Sequence, residues 1–341
     1  MANRRSYKSD VSFLEKLAIG AIGTRAVFAD LAKHGHKPIE LERGSMNYKI
    51  WKNIKIKRLR VPDILCLNCA TRVEARAKTN LEISMSHSLS DPERGWDKGL
   101  TDYDVVALSI CKKVGEEPMD WQADSLIQYV SVRELRNAFD EKRVVIEKPK
   151  GAGEGFELRV TWPSAVASSD GIISEVTPSR LKFKRRSDGR TISLSLSKKN
   201  IPLQPLVKTG DTIITGQIVA SVIPILSSFI CQSDAATETF LEMLTSPSVA
   251  DRYTAAKALS NFENNAISEI LKERIDDTRE HIYVRLEAAS GLARMGQSAG
   301  MEFITQVLHG EYLEHLLEGI IILGEIHLPE SQKILTTTLL D

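Results

Sequence analysis

Residues Arg60 to Ile83, RVPDILCLNCATRVEARAKTNLEI, hold the side chains best placed for chemistry. Asp63 follows Pro62 in an apolar run, and Glu74, Arg76 and Lys78 alternate further along. Two carboxylates on neighbouring strands suit a hard divalent cation such as Mg²⁺, which takes oxygen ligands and keeps several waters. Phosphodiester cleavage needs an attacking water, a Lewis acid on the phosphate and help for the leaving oxygen. A nearby lysine can position or deprotonate the water and offset charge on the phosphate. Asp63 and Glu74 are therefore candidate ligands for Mg²⁺ or Mn²⁺, with Lys78 as the group assisting water and Arg76 as a phosphate contact.

The surrounding pattern gives the local structure. VPDILCLN reads as one strand, Asn68 to Thr71 as a turn, and TRVEARAK as the next strand. Side chains alternate along a strand, so Glu74, Arg76 and Lys78 share one face. A helix with Phe13, Leu14, Leu17, Ala18 and Ala21 on its apolar stripe precedes them. A helix near Arg94 to Gly99 and the strand VVALSICK follow.

Helix, paired strands, Asp after Pro on one strand and Glu with Lys on the next together resemble the PD-(D/E)xK nuclease superfamily. The resemblance spans about Asp10 to Val132. It implies an α/β restriction-endonuclease-like domain, a metal-dependent deoxyribonuclease activity and DNA as partner, in a setting such as restriction or defence. Glu15 on the first helix is where the superfamily often has a further acid, and it also reads as a solvated helix residue. One position departs from the pattern: the lysine expected two residues after Glu74 is Arg76, and the lysine is Lys78. Glu74 and Lys78 are about 13 Å apart on an ideal strand at about 3.3 Å per residue. Arginine stays protonated and is a poor base. Three readings stay open. Lys78 reaches back or a bulge brings it close, Arg76 supports the phosphate alone, or the site is inactive and the domain is a nucleic-acid-binding adaptor. The same residues would also serve as a salt-bridged sheet face.

Other clusters point less far. Cys66 and Cys69 form a CxxC, but no second pair stands at zinc-site spacing, and Cys111 and Cys231 are too scattered to complete it on sequence evidence. His34 and His36 flank Gly35 at the expected helix end and read as a cap. His87 lies in a polar stretch with Asp91, Arg94, Trp96 and Asp97, where Asp91 suits a helix cap. No Walker loop, G-x-S-x-G, HExxH or dinucleotide fingerprint is present.

The rest of the chain divides by pattern. KPKGAGEG, Lys148 to Gly155, reads as a linker that closes a first domain over 1–147. Over 156–226 the pattern is period-2 with turn dipeptides, predicting a small all-β domain. LKFKRR, Asp188-Gly189 and TISLSL make a hairpin, since Asp-Gly suits a turn with positive φ. With Gly210-Asp211 and Gly216-Gln217 at further turns, this segment resembles the barrel-sandwich hybrid of lipoyl domains, without their DKA or MKM triplet. Lys182, Lys184, Arg185 and Arg186 could touch nucleic acid, or could equally protect an exposed strand edge with charge.

A second linker is expected near Ser227 to Asp234, and a helical array over 234–341. Arg252, Ala255, Ala256 and Leu259 recur as Arg285, Ala288, Ala289 and Leu292, with a looser copy at Leu317, Gly319, Ile320 and Leu323. Small residues in an apolar helix face let a neighbouring helix approach, and such pairs must stack to bury their stripes. This block resembles HEAT repeats, which implies a solenoid that binds a protein partner or a second copy of itself.

The totals agree with a multi-domain globular protein. The 341 residues are 42% apolar and 26% charged, which sets the chain apart from disordered sequences. No apolar run reaches the length of a membrane span, and four cysteines make no disulfide framework, so a cytoplasmic location is expected. Zero net charge hides a gradient: 1–60 holds 14 Lys+Arg against 5 Asp+Glu, and 231–341 holds 8 against 18. A basic front suits phosphate backbone, and an acidic back suits protein contact.

Overall fold

A helix of 24 residues, α1 (Asp10–Lys33), lies across the first sheet. It is followed by β1 (Pro38–Glu40), β2 (Ile64–Cys66), β3 (Arg72–Lys78), β4 (Ile83–Ser88), β5 (Val105–Lys113) and β6 (Trp121–Ser131). The computed structural model describes residues 10–46, 59–148, 157–232, 236–262 and 264–338. The linker expected at Lys148 to Gly155 lies outside them from residue 149 onward.

The five-stranded sheet has the order β1-β2-β3-β5-β6. β2 and β3 are antiparallel, and β3 and β5 are parallel over Val73 to Lys78 with unbroken register. β5 is buried from Val105 to Cys111, as a central strand covered on both faces must be. Val73, Ala75 and Ala107 pack with Val27 and Leu31 of α1. Gly23 allows this close approach, because a Cβ there would meet the Ala77 Cβ at 2.2 Å. α1 ends in a Schellman turn: Gly35, at φ +84°, donates to Ala32 O, and His36 donates to Leu31 O. The helix end expected at His34 to His36 is thus present, and Gly35 caps it.

The opposite face of the sheet meets a second layer. α2 (Val132–Asp140) and β7 (Val145–Glu147) lead to β8 (Glu157–Trp162), β9 (Ser164–Val166), β10 (Gly171–Val176), β11 (Arg180–Arg185) and β12 (Thr191–Ser195). Then come β13 (Ser197–Lys198), β14 (Ile201–Pro202), β15 (Gln204–Pro205), β16 (Thr212–Ile213) and β17 (Ile218–Ser221). β8 is flanked by β4 and β7, so strands from before and after the glycine-rich stretch share one sheet. They also share one core, in which Met85, Val106, Leu108 and Val130 join Val160, Trp162, Phe183 and Ile218. β10, β11, β12 and β16 form a four-stranded sheet, and the Asp188-Gly189 hairpin turns with Gly189 at φ +69°. Gly210 and Gly216 also have positive φ, as their turns require.

The helix expected at Arg94 to Gly99 is not formed. A 3₁₀ turn spans Pro92–Arg94, with Asp91 accepting the Glu93 amide at its start, and Gly95 ends it. Trp96 is buried instead against Trp162 and Phe139, which draws the chain inward where a helix would have carried it along the surface.

Two compact units emerge. One gathers residues 10–46, Pro62–Cys66 and the described residues of Thr71–Cys231, and the other gathers residues 59–61, Leu67–Ala70 and the described residues from Gln232 onward. The second unit is helical: α3 (Ala236–Met243), α4 (Val249–Leu259), α5 (Asn265–Asp276), α6 (Ile282–Arg294), α7 (Ser298–Leu308), α8 (Leu313–Ile326) and α9 (Pro329–Thr338). The recurring alanines explain its packing. Ala255, Ala256, Ala288 and Ala289 are fully buried, and α6 packs on α4, α5, α7 and α8. Arg252 forms a bidentate pair with Glu280 at 2.8 and 2.9 Å, whereas its counterpart Arg285 donates to Ile275 O and lies over the Phe303 ring. No helix among the described residues is long and apolar enough to cross a membrane.

Candidate functional site

Asp63 and Glu74 flank the last pair at the open end of the β2–β3 hairpin. The antiparallel ladder ends with Ile64 paired to Val73, so Asp63 directly precedes that pair on one side and Glu74 follows it on the other. Val73 points to α1, so Glu74 belongs to the other face. Asp63 is 6% exposed, and its Oδ2 accepts the Ala75 amide at 2.9 Å. This bond holds the carboxylate against β3. The Arg76 guanidinium lies 3.0 Å from Glu74 Oε1, and its buried Nε has no hydrogen-bond partner among the described residues.

Lys78 takes a different direction. β3 has no bulge, and the Lys78 ammonium donates to Glu82 O at 2.9 Å, to Ser84 O at 3.2 Å and to the Ser84 hydroxyl. Burial lowers its pKa to about 8, the Arg159 and Arg76 cations add to that, and Glu82 opposes it. Arg159 in turn pairs with Glu82 and donates to Ser84 Oγ.

Lys78 opens onto a cavity of about 920 Å³ at the end of β3. Lys16, Arg159 and Lys198 line it with Lys78, against the acids Glu15 and Glu82. Glu15 of α1 therefore does face the region of Lys78, where it pairs with Lys113 at 2.7 Å. The excess of cations makes this cavity suited to an anion. Sequence reasoning missed Arg159 and Lys198, which lie far along the chain, on β8 and β13.

The basic run on β11 is partly committed. Lys182 pairs with Glu175 at 2.8 Å and Arg185 with Asp188 at 3.4 Å. Lys184 stands beside Phe183, which is buried, and so points to the opposite, outer face. Arg186 follows at the hairpin turn, its amide bonded to Asp170 O. His87 sits in β4 and accepts the Trp96 amide at 3.3 Å, and Asp97 pairs with Arg136. These polar groups order the loop around Trp96.

A second cluster lies at the closed end of the same hairpin. The CxxC turn there, with Ala70 at φ +58°, is closed by Cys66 N donating to Thr71 O. The structure brings to this turn Cys231, which sequence spacing alone leaves too scattered to complete the pair, and His36. One ligand atom from each of His36, Cys66, Cys69 and Cys231 lies within 4.8 Å of the others. Cys111 stays apart, near Ile19 O, with burial raising its thiol pKa to about 11. The missed signal was the Schellman turn, which delivers the residue after Gly35 to a fixed place.

Set beside protein-family models and curated proteins, the chain matches none of them.

Proposed function

We propose that the first unit is a nuclease-like domain that binds DNA and hydrolyses its phosphodiesters with Mg²⁺ or Mn²⁺. The observation that supports this reading is the Asp63 carboxylate bonded to the Ala75 amide beside Glu74, on a strand that runs on to Lys78 and a cation-lined cavity. Two carboxylates on adjacent strands are the oxygen donors that Mg²⁺ prefers, so they fit the ion. Bound there, the ion would act as Lewis acid on the phosphate. Asp63 and Glu74 would hold it, Arg76, whose guanidinium adjoins Glu74, would contact the phosphate, and Lys78 would assist the water. A lysine with a pKa near 8 exchanges its proton within reach of neutral pH. The helical unit, with buried alanine pairs recurring at the same spacing in α4 and α6, is read as HEAT-type repeats that engage a protein partner.

A second reading has its own observation. The three donors of the Lys78 ammonium are met by Glu82 in the loop that follows and by Ser84 of β4, and Arg76 is paired with Glu74. A site committed in this way suits an inactive nucleic-acid binder that recruits another protein through its helices.

Incubation with plasmid DNA in Mg²⁺ or Mn²⁺ separates the two. Metal-dependent nicking that Asp63→Asn abolishes supports the nuclease. Salt-sensitive DNA binding without nicking supports the adaptor. Neither nicking nor binding would overturn both.

A further inference from the structure

We propose that His36, Cys66, Cys69 and Cys231 bind a structural zinc ion as a Cys₃His site. This goes beyond the nuclease reading and does not depend on it.

The geometry fits the ion. Zinc–sulfur bonds of about 2.3 Å in a tetrahedron place two sulfurs about 3.8 Å apart. The Cys66 and Cys231 Sγ atoms are 3.9 Å apart, close to that span and far beyond the ~2.05 Å of a disulfide. All four ligand atoms lie within 4.8 Å of one another, so modest closure reaches tetrahedral spacing. Cys66 is buried and Cys69 and Cys231 are half-buried, so three thiols converge with none of them fully exposed.

The histidine makes a hydrogen bond that suits a metal ligand. Its Nε2 is 3.0 Å from the Phe229 carbonyl. A carbonyl oxygen only accepts, so Nε2 is the donor in this bond and Nδ1 is the nitrogen left for a metal. A backbone carbonyl holding the other nitrogen is the arrangement that fixes metal-bound histidines. The ring also stacks on Phe229 at 4.9 Å between centroids. The Cys231 amide donates to His34 O, so ligand and counter-ligand are pinned to the same helix end.

The ligands come from three separately anchored pieces of chain. Cys66 ends β2 and Cys69 lies in the turn that follows, which the Cys66 amide closes by donating to Thr71 O. His36 follows the cap of α1, and Cys231 is the last residue of the first unit. Four protein ligands leave no open position, which is the mark of a structural rather than a catalytic zinc. Such an ion would clamp the β2–β3 hairpin to α1 and to the chain segment that leaves for the helical unit.

The test uses the full chain, purified under reducing conditions. Elemental analysis should find about one zinc per chain. After exchange, Co²⁺ should give the intense visible bands of a tetrahedral site and a near-ultraviolet thiolate charge-transfer band. Cys231→Ser and Cys69→Ser should weaken both, and Cys111→Ser should leave both intact. If a ligand variant fails to fold, the wild-type zinc content and cobalt spectrum still decide. A wild-type protein without zinc that gives no thiolate–cobalt band overturns the proposal, as does an intact mass showing a Cys66–Cys231 disulfide. None of these readouts involves DNA cleavage, so failure here leaves the nuclease question separate.

Discussion

The Asp63 carboxylate accepts the Ala75 backbone amide at 2.9 Å. One oxygen of a candidate metal ligand is thereby part of the sheet. Asp63→Ala removes an acceptor from a largely buried amide and should cost about 1–3 kcal/mol of stability. Asp63→Asn keeps an oxygen there but weakens metal binding. Urea unfolding should place the asparagine variant closer to wild type than the alanine variant, and both should lose plasmid nicking by about a hundredfold or more. An asparagine variant that nicks at the wild-type rate would remove Asp63 from the site.

Lys78 makes activity depend on pH in a set direction. Its pKa in the folded protein is lowered from 10.5 to about 8. If its amine assists water, the rate below pH 8 should fall about tenfold per pH unit, and Lys78→Arg should flatten that slope. The stability effect has a sign too. Between pH 8 and 10.5 the unfolded chain holds more protons on this group than the folded one, so stability rises with pH in that window. Lys78→Met should lack that rise in thermal unfolding measured from pH 7 to 10.

Arg72 and Asp104 form a buried pair, each side chain 3% exposed, joined by bonds of 3.0 and 2.9 Å. Asp104 also accepts the Thr101 amide. Asp104→Ala removes a bidentate carboxylate from a buried guanidinium and should cost about 3–5 kcal/mol. The double variant Arg72→Met with Asp104→Leu should recover part of that loss in urea unfolding. A single variant within about 0.5 kcal/mol of wild type would refute the pair's role.

In the helical unit, Glu280 would have its pKa raised by burial, but the hydrogen bond from Arg252 and the His281 amide hold it below the ordinary glutamate value. A depressed carboxylate contributes stability above its unfolded pKa and loses it as pH falls through the folded one. Arg252→Ala should therefore destabilise the helical unit by about 3 kcal/mol near pH 7, with the gap to wild type closing below pH 4. Circular dichroism melts at both values measure it, and a gap independent of pH would show that lost packing dominates.

What the sequence disclosed follows from how local each signal is. The repeat was visible because a stacked helix face needs small residues at a fixed spacing, and Ala255, Ala256, Ala288 and Ala289 are all buried. The β2–β3 hairpin and the positive-φ glycines were visible for the same reason, since each is decided within a few residues. The Cys66–Cys69 pair was visible, but its completion was not. His36 lies 30 residues away and Cys231 165, and only the cap of α1 and the path after β17 bring them in. Likewise, nothing local to Lys78 announces that Arg159 from β8 shares its cavity. Trp96 shows the reverse failure. Its polar neighbours suggested a helix, and the buried aromatic cluster overrode that preference.

The pairing of β4 with β8 bears on how the protein is made. Ser88 waits for Glu157 and Ile83 for Trp162, so a strand finished early has no partner until about seventy more residues exist. At about 5–20 residues per second of synthesis, that edge stays open for several seconds. Met85 is buried in the finished sheet, so an apolar edge is on offer to any other nascent chain in that interval. A truncation that stops at residue 147 would make this interval permanent, and the ribosome's pace rather than the finished contacts would decide how much of the protein escapes aggregation.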